Sequence, residues 1–174
     1  MSTTERDIRL TATSHIVLGL VAAAGRAVTP YELKQIHAAG PGNFWSLNHA
    51  QLYAEPDRLA GAGYLSVEQE EGGRRRKLYK LTKAGRRALD DWLAAPTGEF
   101  TDLRDPGLLQ LFFGADPPTL AAKQLELHER RLAQYEELGK QSGGWPDGPR
   151  LALESGIGHE REWVRFWRRL ARER

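Results

Sequence analysis

The stretch from Phe44 to Leu81, FWSLNHAQLYAEPDRLAGAGYLSVEQEEGGRRRKLYKL, limits what this chain can fold into more than any other. Leu52 and Leu59 lie seven residues apart and share one face of a helix that starts near Ser46 or Leu47 and runs to about Ala60. Gly63 closes that helix. Leu65 and Val67, then Tyr79 and Leu81, alternate with other residues as two strands do, and Glu71-Gly72-Gly73 supplies the turn between them. Upstream, Thr29-Pro30 marks a helix start: threonine caps, and proline at the first helical position loses no hydrogen bond. The helix that follows, YELKQIHAA, offers Tyr31, Leu33 and Ile36 to a core and is broken by Gly40-Pro41-Gly42-Asn43. A helix, a short turn, a second helix and a hairpin are the outline of a winged helix-turn-helix.

One residue disturbs the pattern. Pro56 removes a helical N–H and sets its ring against the carbonyl of Leu52, a cost of ~3 kcal/mol in an unprepared helix. Either the helix kinks there or it ends and a second short helix carries Asp57 to Ala62. A kink is expected, because the core still needs Leu59.

The flanking segments fit around this unit. Residues 1–12 are polar and expected to be loosely held. Ser14 can cap a helix running to about Ala24, with Ile16, Leu20 and Ala23 on one face and Val17 and Val21 beside them; Gly25 ends it. His15, alone near its start, reads as a surface or capping residue. Thr82 caps a helix whose Leu89, Trp92 and Leu93 are expected to pack on the body, and Pro96-Thr97-Gly98 marks a boundary. The expected domains are residues 1–97 and residues 98–174. The second is nearly all helical: Asp105-Pro106 opens a short apolar helix ended by Gly114, and Asp116-Pro117 opens a long one reaching about Gln141. After a Gly- and Pro-rich break, a last helix is expected from about Arg150. Ala121, Leu125, His128, Leu132, Tyr135 and Leu138 recur at helical spacing, as do Leu153, Ile157, Glu160, Val164, Trp167 and Ala171. Trp163, Phe166 and Leu170 widen the second seam. So much apolar surface on a helical hairpin predicts burial against another subunit. The fold class is therefore mainly α (α+β), a winged helix-turn-helix followed by a helical dimerisation domain.

Charge placement bears on function more than the net charge of +2. Between positions 74 and 87 stand eight basic residues and no acid: Arg74, Arg75, Arg76, Lys77, Lys80, Lys83, Arg86 and Arg87. A charge run is usually a solvated face. Beside a helix-turn-helix it is better explained as a phosphate track, the electrostatic term that dominates DNA affinity. Asn48, His49 and Gln51 cluster where a reading helix meets base edges; Asn and Gln can pair with adenine, and His can donate to guanine. The residues also serve as plain solvated surface if no DNA binds.

The runs WSLNHAQLY, RLAGAGYLSVEQEEGGRRRKLYKLTKAGRRAL and LRDPGLLQLFFG, with YELK upstream, resemble the PadR family of transcriptional regulators. The first is similar to that family's W-x-L-x-x-x-Q-L-Y stretch, the second to its G-L-x-x-x-x-E-x-x-G-R-x-x-K-x-Y-x-L-T-x-x-G wing. The resemblance covers residues 13–114 and extends further by length and helical pattern. It implies a homodimer with two winged helices on double-stranded DNA; a dimer that sets two reading helices one helical turn apart predicts a near-palindromic operator. It also implies repression relieved, in several members, by small aromatic or drug-like molecules. By position, Gln51 and Tyr53 match the recognition helix, Gly73 and Arg74 the wing tip, and Tyr79 and Thr82 the second strand and its exit. The chain departs at Ala54 and Pro56, since the family's proline directly follows the tyrosine.

A small aromatic effector has one candidate site. Trp163 and Trp167 lie one turn apart with Phe166 nearby, and flat rings can sandwich an aromatic ligand. If the two long helices form an antiparallel hairpin centred near Gly144, His128 falls opposite Glu160, each sixteen residues from the turn. Ordinary dimer packing explains the same rings.

Other classes compete less well. No His-Glu-x-x-His, phosphate loop or nucleophile elbow is present, and His159 and Glu160 point different ways on a helix, so neither an enzyme nor a cofactor is expected. An adaptor that uses the winged helix for protein alone has no need of so basic a wing. The absence of cysteine excludes disulfides and thiolate sites. No apolar run reaches the ~20 residues of a membrane helix. The opening MSTTERDIRLTATSH lacks a signal peptide's apolar core, so a cytoplasmic protein is expected.

Overall fold

Among the described residues, six of the seven α-helices begin on a residue whose side-chain oxygen accepts a hydrogen bond from a first-turn amide, which fixes where each starts. In the computed structural model, which describes residues 8–70 and 75–172, these are α1 (Ala12–Ala24) on Thr11, α2 (Pro30–Ala39) on Thr29, α3 (His49–Gly61) on Asn48, α4 (Lys83–Ala94) on Thr82, α5 (Pro106–Phe112) on Asp105 and α6 (Pro117–Gln141) on Asp116. The seventh, α7 (Asp147–Leu170), starts after Pro146 without such a bond. Two strands, β1 (Leu65–Gln69) and β2 (Lys77–Leu81), pair antiparallel with Leu65 opposite Leu81 and Val67 opposite Tyr79. Tyr79 also exchanges both backbone hydrogen bonds with Val28, at 2.8 and 3.0 Å, which ties β2 to the loop before α2. The chain forms two compact units, residues 1–99 and 100–174.

The core of the first unit gathers Val17, Leu18, Leu20 and Val21 of α1 with Val28, Leu33, Leu52, Leu59, Leu65, Tyr79 and Leu89. Each fully buried aliphatic of this kind contributes about 1.5–3 kcal/mol relative to exposure. α3 runs continuously through Pro56, so the two-helix alternative does not occur. The proline ring is fully buried and Leu59 is 0% exposed, so the core holds the helix on both sides of the missing N–H. Gly25 and Gly63 take the left-handed backbone that ends α1 and α3.

Several expectations need correction. Thr11, not Ser14, caps α1; Ser14 is the fourth residue of the capping box, fully buried. Ile8 and Leu10 pack against the core rather than hanging loose, while residues 1–7 lie outside the described residues. α3 starts at His49, since Asn48 takes the cap. Tyr31, Trp92 and Leu93 are exposed; only Leu89 of the α4 trio is buried. Trp92 instead stacks on His15 at 4.7 Å with the rings nearly parallel. α7 begins three residues earlier than expected, with Pro149 in its first turn, where its missing N–H costs least, and Ala171 lies just past its end.

In the second unit α6 and α7 run antiparallel, each burying a seam. Ala121 and Tyr135 of α6 and Val164 and Trp167 of α7 are the most enclosed. Gly156 lets α7 approach the Tyr135 ring, which a Cβ would meet at 3.1 Å.

Gly85 makes a closer approach. A Cβ there would sit 2.0 Å from the Tyr64 carbonyl oxygen, which also accepts from the Thr82 amide at 3.2 Å. Gly85→Ala is expected to destabilise by about 1–3 kcal/mol, seen as a lower urea midpoint at unchanged slope. Gly61→Ala, with open space around it, serves as the matched control.

Candidate nucleic-acid interface and aromatic cluster

The exposed side of α3 carries the candidate base readers. His49, Tyr53 and Asp57 follow one another at four-residue spacing, so they form one stripe, and all three are exposed. Asn48 and Gln51 are exposed too, but both are engaged in capping. Asn48 Oδ1 accepts from the Gln51 amide at 2.8 Å, and Gln51 Oε1 accepts from the Asn48 amide at 3.0 Å. Their NH2 groups remain as donors toward base acceptors. Bidentate pairing with adenine would also recruit the carbonyl oxygens; abandoning the cap would cost about 0.5–2 kcal/mol.

The turn before α3 is held by His37. Its ring is buried, and its Nε2 lies 3.0 Å from the Trp45 carbonyl oxygen, with N–H donating. Gly42 is pressed against that ring, where a Cβ would come within 3.0 Å of Nδ1. Phe44 and Trp45 stay exposed beside the start of the reading helix.

A polar cluster built on the buried Ser14 then fixes α3 against α1. The Ser14 hydroxyl donates to Glu55 Oε1 at 2.7 Å and accepts from Arg58 at 2.8 Å, and Arg58 closes the triangle with two bonds to the Glu55 carboxylate at 2.6 and 2.8 Å. Burial alone would raise the Glu55 pKa; the Arg58 and Ser14 hydrogen bonds outweigh it and hold the carboxyl below its usual range.

The wing is less uniformly cationic in space than in sequence. Arg76 pairs with Glu70 through two bonds at 2.8 and 3.0 Å. Lys77 Nζ meets both oxygens of Asp57 at 2.8 Å. Both acids lie outside the acid-free run, so folding opposes two of its eight charges. Arg75, at φ 47 in the left-handed region, carries no ion pair among the described residues; nor do Lys80, Lys83, Arg86 and Arg87. Arg74 and Gly73, expected at the wing tip, lie outside the described residues.

In the second unit the four candidate effector residues come together. His128 Nδ1 lies 2.7 Å from Glu160 Oε2 across the hairpin. Trp163 stacks on His128 at 5.6 Å and on Trp167 at 6.4 Å, and Phe166 meets both indoles edge-on. Trp167 is 0% exposed, and its Nε1 has no hydrogen-bond partner among the described residues. Ion pairs flank the seam: Arg161 with Glu136 and Arg168 with Glu129. Among the described residues no cluster of His, Asp and Glu could hold a metal, and no helix is long and apolar enough to cross a membrane.

Sequence reasoning missed Ser14, Glu55, Arg58 and Asp57. The Glu55–Arg58 spacing is visible as a helical ion pair, but their partners Ser14 and, for Asp57, Lys77 and Tyr79 are joined only by the fold.

Residues 17–91 match the family described as "Transcriptional regulator PadR-like family", and residues 103–173 match "Virulence activator alpha C-term". The negative transcriptional regulator PadR of Bacillus subtilis is 26% identical over 169 residues, spanning 86% of this chain and 90% of that protein. Among solved structures, Bacillus subtilis PadR in complex with operator DNA is similar with a TM-score of 0.81 at 23% identity, covering 92% of this chain and 98% of that one. The same protein in complex with p-coumaric acid gives a TM-score of 0.75 at 22% identity, covering 92% and 97%.

The Ser14 cluster sets a stability test. Ser14→Ala is expected to cost about 1.5–3 kcal/mol, as for hydrogen bonds to charged groups. Because the folded Glu55 pKa lies below the ordinary 4.5, its contribution is complete above that value and lost as pH falls through the folded one. Urea midpoints of parent and variant should therefore converge as the solution is acidified.

Proposed function

The chain belongs to the PadR-like family of transcriptional regulators, and on that premise we propose that it is a sequence-specific DNA-binding repressor released by a small aromatic effector. The observation that carries this is the juxtaposition within one unit of an exposed reading helix and a wing whose flank keeps several unopposed cations. Residues 1–97 bind DNA in this reading, and residues 98–174 form the dimerisation and effector domain. Asn48, His49, Gln51 and Tyr53 meet base edges; Arg74, Arg75 and Arg76 meet phosphate and position the protein without reading sequence. Repression is supported by the relative named a negative regulator, and an aromatic effector by the relative solved with p-coumaric acid. The working compartment is the cytoplasm, where a bacterial-type operator is found.

A homodimer built from α6 and α7 sets two reading helices about 34 Å apart, one turn of DNA, so its operator is a near-palindrome. The effector lies among Trp163, Trp167, Phe166 and His128. It is supported by the buried, unbonded Trp167 Nε1 and by the half-buried faces of the other three. A ligand there releases DNA only by preferring one setting of the dimer over another.

Four measurements test the reading. Footprinting on genomic fragments should return a near-palindrome, and light scattering of the full chain a dimer; a monomer at micromolar concentration contradicts the assembly. Replacing Arg74, Arg75 and Arg76 together by Ala should weaken specific and random DNA alike and flatten the salt dependence. Planar aromatic compounds should quench tryptophan fluorescence and release the operator in parallel. If Trp163→Ala and Trp167→Ala proteins stay dimeric and respond like the parent, those rings are packing and the effector binds elsewhere.

A further inference from the structure

Asp57 is an acid on the stripe of α3 that also carries His49 and Tyr53, a surface that in the reading above faces a polyanion. Its surroundings explain its presence. Both carboxylate oxygens accept from Lys77 Nζ at 2.8 Å, and Oδ1 also accepts from the Tyr79 hydroxyl at 2.7 Å. Lys77 and Tyr79 sit on β2, twenty and twenty-two residues away. Tyr79 is anchored in turn: its ring is 1% exposed, and its backbone is paired with both Val67 and Val28. The Lys77 hydrogen bond and then the Tyr79 hydroxyl hold the Asp57 carboxyl below its usual range, so it stays ionised at neutral pH.

We propose that Asp57 is a specificity-determining positioning residue, which clamps the wing strand to the reading helix and withdraws Lys77 from the pool of phosphate-binding cations. The proposal rests on the DNA-binding reading of this unit. Two consequences follow from one carboxylate. First, α3, β2 and the loop before α2 become one frame, so the wing's phosphate contacts and the helix's base contacts can be satisfied together only in one register on DNA. Second, a lysine held by Asp57 neutralises no phosphate and so displaces no counterion from the DNA. It adds little to the sequence-independent, salt-dependent term that drives binding to any DNA. The clamp therefore lowers random affinity while it sharpens the preferred geometry.

The experiment measures salt-dependent affinity of the full chain for operator and for random duplex by fluorescence anisotropy. Asp57→Asn keeps an acceptor for the Tyr79 hydroxyl and removes the charge. It should steepen the salt slope on random DNA by about 0.9, the increment for one freed cation, raise random affinity severalfold at low salt and lower the operator-to-random ratio. Lys77→Met should leave the parent slope unchanged, and adding it to Asp57→Asn should abolish the steepening. Arg75→Ala should lower the slope by about one and calibrates the assay. A Lys77→Met protein whose slope falls by that amount means that the clamp opens on DNA, and the inference is overturned. So does an Asp57→Asn protein with the parent's slope and ratio. A change of preference confined to one base position would make Asp57 a base reader instead, and equally removes the clamp. A parent chain with no operator preference defeats the functional reading, while the slopes on random duplex still decide the fate of Lys77.

Discussion

Val17, Leu18, Leu20 and Val21 form a broad buried stripe on α1, and a stripe that wide must be covered by several elements rather than laid on one. The first unit is arranged to meet that demand. Leu33 of α2, Leu52 and Leu59 of α3, Tyr79 of β2 and Leu89 of α4 converge on it. The reading helix is thus positioned by its buried face, and its exposed face has structural duties at its cap and at Asp57, which holds Lys77 and Tyr79 of β2. The Ser14–Glu55–Arg58 triangle adds direction to this packing. Hydrophobic burial alone tolerates sliding, whereas three hydrogen-bonded groups fit one angle between α1 and α3.

How much of this could be read from the chain depended on the range of the interaction. Caps are local, so Thr29, Thr82, Asp105 and Asp116 could be assigned from their neighbours. The α6–α7 hairpin is a matter of counting, and the count sets His128 against Glu160, where the structure has them at 2.7 Å. Burial was harder. Tyr31, Trp92 and Leu93 have the composition of core residues, and only the three-dimensional path leaves them exposed. Ser14 looked like a cap because serine is a good one. Thr11 takes that place since it stands three residues earlier and Ser14's hydroxyl is drawn toward α3.

The same distinction governs electrostatics. Eight basic residues without an acid suggest an unbroken phosphate track when read along the chain. Folding brings Glu70 to Arg76 and Asp57 to Lys77, so the track is interrupted at its stem, while Lys80, Lys83, Arg86 and Arg87 further along have no ion pair among the described residues. Linear charge density overstates what a partner meets: Lys77 is held by both oxygens of Asp57, and Arg76 reaches phosphate only by leaving Glu70. The candidate effector residues present the opposite case. Their proximity was legible from helical spacing, and what they enclose depends on whatever covers the open side of α6 and α7.

The capping box at the start of α3 has a further consequence, for how DNA preference can change in descent. Asn48 serves the helix start through its side-chain oxygen, and only a few short polar residues can do that. A position bound to that duty has a small alphabet, and most exchanges there would weaken the helix before they altered what it reads. His49 and Tyr53, exposed and free of capping, carry no such restriction. Divergence in operator preference among close relatives of this chain would accumulate at those two positions, while position 48 stays within the capping residues.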